Sequence, residues 1–331
     1  MQIHRSSFII HRWSGGEMLP VKVNVACNTV VHQIEALWAD LERLYPGLGR
    51  REESLSAHTT LRLGGPAEIW FPAGSVEALV SAVSLARRHQ APIFILGGGA
   101  NLLIRDVGVR GLVIENRANA VHFSETGLVA ESGAVLPRLA KQCAQRGLSG
   151  LEWAVGVPGT VGGAVVNNAG AYGRSMAGTL VRANLLLANG ERTWQPVEWF
   201  DYDYRASKLK RMVTGKPIVL QAELALPPAP REEIEATMQT YNTRRKVSQP
   251  PGATIGSMFK NPPGDYAGRL IEAAELKGFR VNQAQISPVH ANFFINLGGA
   301  KSEDVLALIE TAQRAVQDKF GLELELEIEI V

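Results

Sequence analysis

The chain has 331 residues, 46% of them hydrophobic and 20% charged, with a formal net charge of +2. That length exceeds one ordinary hydrophobic core and predicts two or three domains, while the near-neutral balance argues against nucleic acid or a membrane surface as the main partner. The only cysteines, Cys27 and Cys143, lie far apart without metal-ligand spacing, which predicts reduced thiols, a cytoplasmic setting and no metal site.

At the N-terminus, MQIHRSSFIIHRWSGG offers one short apolar run broken by charges, unlike a secretory signal or a membrane span. Residues 1 to about 20 are expected to contribute little. Gly15-Gly16-Glu17 before Met18 further suggests that Met18 is the true start. Next, Ile34, Leu37, Trp38, Leu41 and Leu44 recur at helical spacing, and Pro46-Gly47 ends that helix. AHTTLRLGGPAEIWFP leads through Gly64-Gly65 into a strand. Ser75 then caps a helix with Val76, Leu79, Val80 and Val83 inward and Arg87, Arg88 and His89 at its C-terminal end. PIFIL and GLVIEN read as buried strands. GLVAESGAVLPRLAKQCAQRGL reads as a strand followed by a helix with Pro137 in its first turn and Gly147 as its stop. VRANLLLANGERTWQPV is a hairpin with Asn189-Gly190 at a type I′ turn, and PIVLQAELAL is a further strand. The prolines of PPAPREE mark a domain boundary and open a polar helix of about 17 residues. Helices follow near 267–276 and 302–319, the latter with Ser302 as N-cap, and LELELEIEIV closes the chain as a strand. The mixture of hairpins and loosely alternating elements predicts an α+β fold.

Two glycine-rich segments stand out as ligand cradles. LGGGANLLIRD (96–106) follows a buried strand, so its backbone N–H groups can converge on an anion. It fits neither a Rossmann fingerprint nor a Walker A loop, having Leu102 at the third glycine position and no Gly-Lys-Ser/Thr. GVPGTVGGAVVNNAGAYG (156–173) has six glycines and no charge. It suits a flat, partly apolar ligand carrying a diphosphate, with Thr160, Asn167 and Asn168 as polar groups. A glycine-rich turn with no ligand explains 96–106 alone about as well, and the two segments together argue better for a ligand than either does.

Taken with YDYRASKLKR, GSMFKNP and SPVHANFFIN, these segments resemble the UDP-N-acetylenolpyruvoylglucosamine reductases of peptidoglycan synthesis, from about Ser56 to Val331. The two glycine motifs are shared with wider FAD-binding relatives, the other three are not. The resemblance implies a two-lobed FAD-binding domain of the vanillyl-alcohol-oxidase type plus a C-terminal α+β substrate domain. The corresponding division is 1–50 as extension and helix, 51–228 as FAD domain (lobes 51–118 and 119–228), and 229–331 as substrate domain. The compact stretch from Ser257 to His290 resembles the shorter subtype, without the extra tyrosine-bearing loop.

The chemistry implied is hydride transfer from NADPH to non-covalently held FAD and on to UDP-N-acetylglucosamine enolpyruvate, in a cytoplasmic monomer. Matched residue by residue, the resemblance implies cofactor contacts from Gly97, Gly98, Gly99, Ala100, Asn101, Leu102, Gly156, Pro158, Gly159, Thr160, Gly162, Gly163, Asn168 and Gly170. It implies three catalytic residues. Arg205 grips a carboxylate with two donors, Ser257 gives a proton, and Glu327 assists at the substrate carboxylate. Tyr204, Lys246, Lys260, Asn261 and His290 are the implied substrate contacts. His58 invites covalent flavin attachment but lies in neither glycine segment, so non-covalent FAD is expected.

The final strand raises a question of register. Glu323, Glu325, Glu327 and Glu329 alternate with apolar residues and would share one face. The family pattern LEPEVRIIG selects Glu327, yet here Leu326 replaces the proline and Glu329 the arginine, so Glu325 is the alternative. Two other readings compete: a flavin-dependent alcohol oxidase or dehydrogenase, and a non-enzymatic nucleotide-sugar or flavin binder.

Overall fold

The computed structural model describes residues 7–14, 17–24 and 27–331. Strands Ser7–Ser14 and Glu17–Asn24 pair as an antiparallel hairpin that joins no other sheet, and Met18 falls on the second of them.

The first lobe is a four-stranded sheet in the order Arg50–Ser54, Pro66–Ala73, Val109–Asn116, Ile93–Leu96. Its last three strands run parallel to one another, the arrangement expected of strands connected through a helix. That connection is Val76–Arg88, whose Ser75 hydroxyl accepts from the Ala78 amide at 3.1 Å. With the helix Cys27–Leu44 it covers one face, burying Ile34, Leu37, Leu41, Leu79 and Val83 against Ile69, Phe71, Leu112 and Ile114.

An antiparallel five-stranded sheet forms the second lobe, in the order Arg192–Pro196, Leu180–Leu186, Ile218–Ala225, Gly127–Glu131, Val121–Ser124. The predicted hairpin is present, but only Gly190 is left-handed (φ +91), while Asn189 is not among the positive-φ residues. Leu187 and Glu191 close the turn by a 2.8 Å backbone bond. A three-residue turn ending on one left-handed glycine therefore replaces the two-residue type I′ turn. Helix Leu136–Gln145 packs on this sheet. Cys143 is buried there, and burial pushes its thiol up to about 12; the Cys27 side chain lies outside the described residues.

The polar helix is Arg231–Ser248. Expected at the head of the substrate domain, it instead inserts Ile234 and Met238 into the second-lobe core beside Trp153 and Val155. Packing therefore divides the chain after Ser248, not at residue 228. A proline cluster marks a turn, but the apolar residues beyond it decide which core the helix joins.

The C-terminal body combines helices Ala267–Ala273 and Ser302–Phe320 with a small sheet of Arg280–Val281, Ala284–Ile286 and Phe294–Asn296. Its core gathers Met258, Phe259, Phe294, Leu308 and Ile309, and takes in Leu61, Leu63 and Leu103 from the first lobe. Ser302 is not the N-cap; Lys301 holds that place, and the Asp304 carboxylate accepts from its amide at 2.8 Å. Ser302 is turned to another task. Its amide donates to Asp106 Oδ2 (3.0 Å) and its hydroxyl accepts from the Asp106 amide (3.1 Å), tying the NLLIRD motif to the C-terminal helix.

The closing segment also departs from expectation. Only Glu329–Ile330 is strand, and it pairs in parallel with Leu102–Leu103. Before it the backbone bends at 327–328, so the four glutamates do not lie along one continuous strand. Glu325 is 72% exposed at its side chain and Glu327 only 16%.

Candidate functional site

The two glycine segments form one site. The loop after strand Ile93–Leu96 meets the loop before helix Val161–Asn167 so closely that a Cβ on Gly98 would lie 2.9 Å from Gly159 Cα. A Cβ on Gly97 would lie 2.8 Å from Thr160 Oγ1. Contact this tight requires bare backbone on both sides. Among the described residues, the amides of Gly98, Gly99, Ala100 and Asn101 on one loop, and of Gly159, Thr160 and Gly163 on the other, donate to no carbonyl or side chain. Such a concentration of free N–H groups in a cleft suits a diphosphate. The first loop also borders a cleft of about 400 Å³ with Ala57–Thr60, Glu115 and Arg117. These features fit a dinucleotide cofactor such as FAD.

Some residues assigned to the cofactor have tasks inside the fold. Cβ atoms on Gly99, Gly162 and Gly170 would strike His58 O (2.1 Å), Ser132 Cβ (2.9 Å) and Arg174 O (2.3 Å), and one on Gly156 would strike Arg245 Cδ (2.5 Å). Asn168 is 8% exposed, its amide donating to Asp203 O (3.0 Å) and its oxygen accepting from the Ala177 amide (3.1 Å). Its amide group is thus spent on holding the arginine turn. Ala100 lies 4.0 Å from where a Gly159 Cβ would stand, Leu102 is a strand partner of Glu329, and Pro158 is exposed. His58 borders the first loop after all, but both ring nitrogens are occupied, by Glu53 (3.1 Å) and Glu115 (3.0 Å). That favours non-covalent attachment.

Arg205 projects from a turn closed by reciprocal Asp203 and Ala206 backbone bonds of 3.1 Å. It sits in the left-handed region (φ +54), which costs a side-chain-bearing residue roughly 1–3 kcal/mol and is typical of functional positions. Ser207 secures the turn. Fully buried, it donates to Val166 O (2.5 Å) and accepts from the Lys210 amide (3.0 Å), starting the one-turn helix Lys208–Arg211.

Arg205 meets Glu327: Nε stands 2.6 Å from Oε1. The approach is off the line of a hydrogen bond, so the contact is an ion pair that leaves the buried Nε–H short of an acceptor. Burial holds the Glu327 carboxyl above its ordinary value, and the opposing pull of Arg205, Lys210 and Lys260 does not cancel it. A carboxyl so placed keeps its proton more readily than a surface glutamate.

Ser257 reaches the same place through the backbone. The segment 257–260 lies between two others. Ser257 bridges Phe293, the Met258 amide donates to Asn292 O (2.8 Å), and Met258 O accepts from the Glu327 amide (2.9 Å). Among the described residues the Ser257 hydroxyl makes no hydrogen bond within the chain, and it is half-buried. Lys260 forms an ion pair with Glu325. Arg205, Ser257, Lys260 and Glu327 are thus brought together.

The other expected substrate contacts are not joined to this cluster by any hydrogen bond or ion pair among the described residues. Asn261 accepts from the Ala267 amide (3.1 Å). His290 Nδ1 accepts from the Asn292 amide (3.2 Å), and burial lowers its basicity. Tyr204 is half exposed, its ring 5.6 Å from the Arg205 guanidinium carbon. Lys246 is exposed and lines a groove of about 410 Å³ with Lys141, Met238 and Asn242.

Lys210 is the residue that motif reading missed. Its Nζ donates to Glu327 O at 3.2 Å. The only local signal was a capping serine three residues ahead of it, which marks a helical turn but not what the lysine meets.

Comparison with known proteins places these features in one family. Residues 67–194 match the FAD binding domain family, and residues 247–331 match the family described as UDP-N-acetylenolpyruvoylglucosamine reductase, C-terminal domain. The UDP-N-acetylenolpyruvoylglucosamine reductase of Rubrobacter xylanophilus is 43% identical over 293 residues, covering 88% of this chain and 97% of that one. Its counterpart from Bacillus subtilis is 37% identical over 301 residues, 90% of this chain and 99% of that one. The crystal structure of UDP-N-acetylenolpyruvylglucosamine reductase from Thermus caldophilus superposes with a TM-score of 0.73 at 38% identity, covering 85% of this chain and 99% of that one.

Proposed function

The chain belongs to the UDP-N-acetylenolpyruvoylglucosamine reductase family of flavin-dependent oxidoreductases, and we propose that it reduces UDP-N-acetylglucosamine enolpyruvate to UDP-N-acetylmuramate with NADPH and non-covalent FAD. One observation carries the residue assignments: the Arg205–Glu327 contact stands where the glycine loop, the arginine turn and the Ser257 segment meet.

Bound FAD supplies the redox chemistry, delivering hydride from NADPH to the enolpyruvyl double bond. The chain's residues manage the charge and the proton. The Arg205 guanidinium, held beside the Glu327 carboxylate, grips the substrate carboxylate. There it stabilises the negative charge that develops on the adjacent carbon. The Ser257 hydroxyl gives its proton to that carbon, a transfer to which so weak an acid is matched because the acceptor is strongly basic. Glu327, raised by burial, shares a proton with the substrate carboxylate or its enolate oxygen. Lys260 is assigned to the diphosphate or sugar of the substrate. We propose further that the protein acts as a monomer. No helix among the described residues is long and apolar enough to cross a membrane, and a cytoplasmic setting is part of the proposal.

The test is direct. The purified protein should carry flavin absorbance, lose it anaerobically with NADPH, and regain it on adding the enolpyruvyl UDP-sugar. Recovery with oxygen but not with the UDP-sugar would favour an oxidase instead. A second check addresses the cradle. Gly98→Ala forces the two glycine loops apart, so flavin bound per polypeptide should fall while the cooperative unfolding transition persists. Full flavin occupancy in that variant would remove the cradle assignment.

A further inference from the structure

The backbone of Glu327 is held more firmly than its side-chain role requires. Its amide donates to Met258 O (2.9 Å) from the substrate domain. Its carbonyl accepts twice, from Asn101 Nδ2 (3.3 Å) on the first glycine loop and from Lys210 Nζ (3.2 Å) on the one-turn helix after the arginine turn. Asn101 O in turn accepts from the Glu329 amide (3.0 Å), so the loop grips the closing segment on both sides of residue 328. Arg205 leaves the turn at 203–206 and Lys210 the one-turn helix that follows it, and they meet the same residue, Lys210 at its main chain and Arg205 at its carboxylate.

We propose that Lys210 is a positioning residue for the reaction: its ammonium fixes the Glu327 main chain against the glycine loop and the arginine turn, so that the carboxylate faces Arg205 and the substrate. The proposal rests on the reading of Glu327 and Arg205 given above. The charges facing Lys210 are Glu327 and Glu329 from the closing segment, Lys260 from the Ser257 segment, and Arg205 from the turn before it. Burial makes Lys210 easier to deprotonate, and Glu329 is the leading influence in the opposite direction. Glu329 stands where the family pattern has an arginine, so in this chain that position helps keep the Lys210 ammonium charged. Lys210 also pulls the Glu327 carboxyl downward. Removing its charge therefore raises Glu327 further, while a structural contact of equal size would not.

Lys210→Met and Lys210→Arg separate the two roles. Both should retain flavin and bleach with NADPH at the wild-type rate. Lys210→Met should slow reoxidation by the enolpyruvyl UDP-sugar by roughly ten- to hundredfold, the effect of one misplaced charge-assisted hydrogen bond. It should also move the limb of the pH profile that depends on Glu327 to higher pH. Lys210→Arg should restore most of the rate and leave the limb in place. Independently of turnover, the Glu327 carboxyl can be titrated by NMR of carboxyl-labelled glutamate, its signal assigned by loss in Glu327→Gln. Its midpoint should rise in Lys210→Met and stay in Lys210→Arg. An unchanged midpoint in Lys210→Met, or equal slowing of both half-reactions, overturns the proposal. A wild-type protein never reoxidised by the UDP-sugar would instead end the functional reading, while the titration would still decide whether Lys210 governs Glu327.

Discussion

Ser257→Ala is expected to slow flavin reoxidation by the enolpyruvyl UDP-sugar by at least about 10²–10⁴-fold, the range for a lost acid, while NADPH bleaches the flavin almost as fast as before. The asymmetry follows from the placement of the hydroxyl. It has no hydrogen bond within the chain among the described residues, and its main chain is pinned through Phe293, Asn292 and Glu327. Deleting it should disturb little of the fold, so the loss falls on the step that consumes a proton. Ser257→Cys, which keeps a donor at the same position, should recover part of the rate. Stopped-flow measurement of each half-reaction decides the matter, and equal slowing of both would remove Ser257 as proton donor.

The second large effect is expected at the Arg205–Glu327 contact. Arg205→Lys should cost on the order of 10²–10³-fold in reoxidation, comparable to losing an oxyanion donor, because an ammonium offers a point charge where a planar fork grips a carboxylate. Glu327→Gln should lose activity in the same half-reaction and also carry a pH signature. Burial raises the folded Glu327 carboxyl above 4.5, so the folded protein binds that proton more tightly than the unfolded chain. The resulting contribution to stability is present below 4.5 and is lost as pH climbs through the raised folded value. Glutamine has no such loss. The Tm of Glu327→Gln relative to wild type should therefore increase as pH rises from about 4.5 through that window. A constant difference across the window would mean that Glu327 is not raised in the fold.

Much of this molecule was legible in its sequence because the deciding forces are local. Apolar spacing marked the strands at 93–96 and 109–116 and the helix at 76–88, and Ser75 announced that helix's start. The glycine runs could be read as cradles because only glycine permits two backbones to approach as Gly98 and Gly159 do. Arg205, Ser257, Lys260 and Glu327 were legible as members of motifs, with Glu325 left as a rival for the carboxylate role.

Only the tertiary structure separates the two glutamates, setting Glu327 against Arg205 and leaving Glu325 exposed beside Lys260. LELELEIEIV alternates as a strand should, yet the segment bends at 327–328 because three partners far away in sequence, Met258, Asn101 and Lys210, capture Glu327. The same long-range pairing bound Asp106 to Ser302, committed Asn168 to the arginine turn, and drew helix Arg231–Ser248 into the second lobe. A residue's backbone preferences and periodicity are properties of its neighbours in sequence. Which charge meets which carboxylate depends on segments more than a hundred residues apart converging as the cores close, and no local pattern carries that.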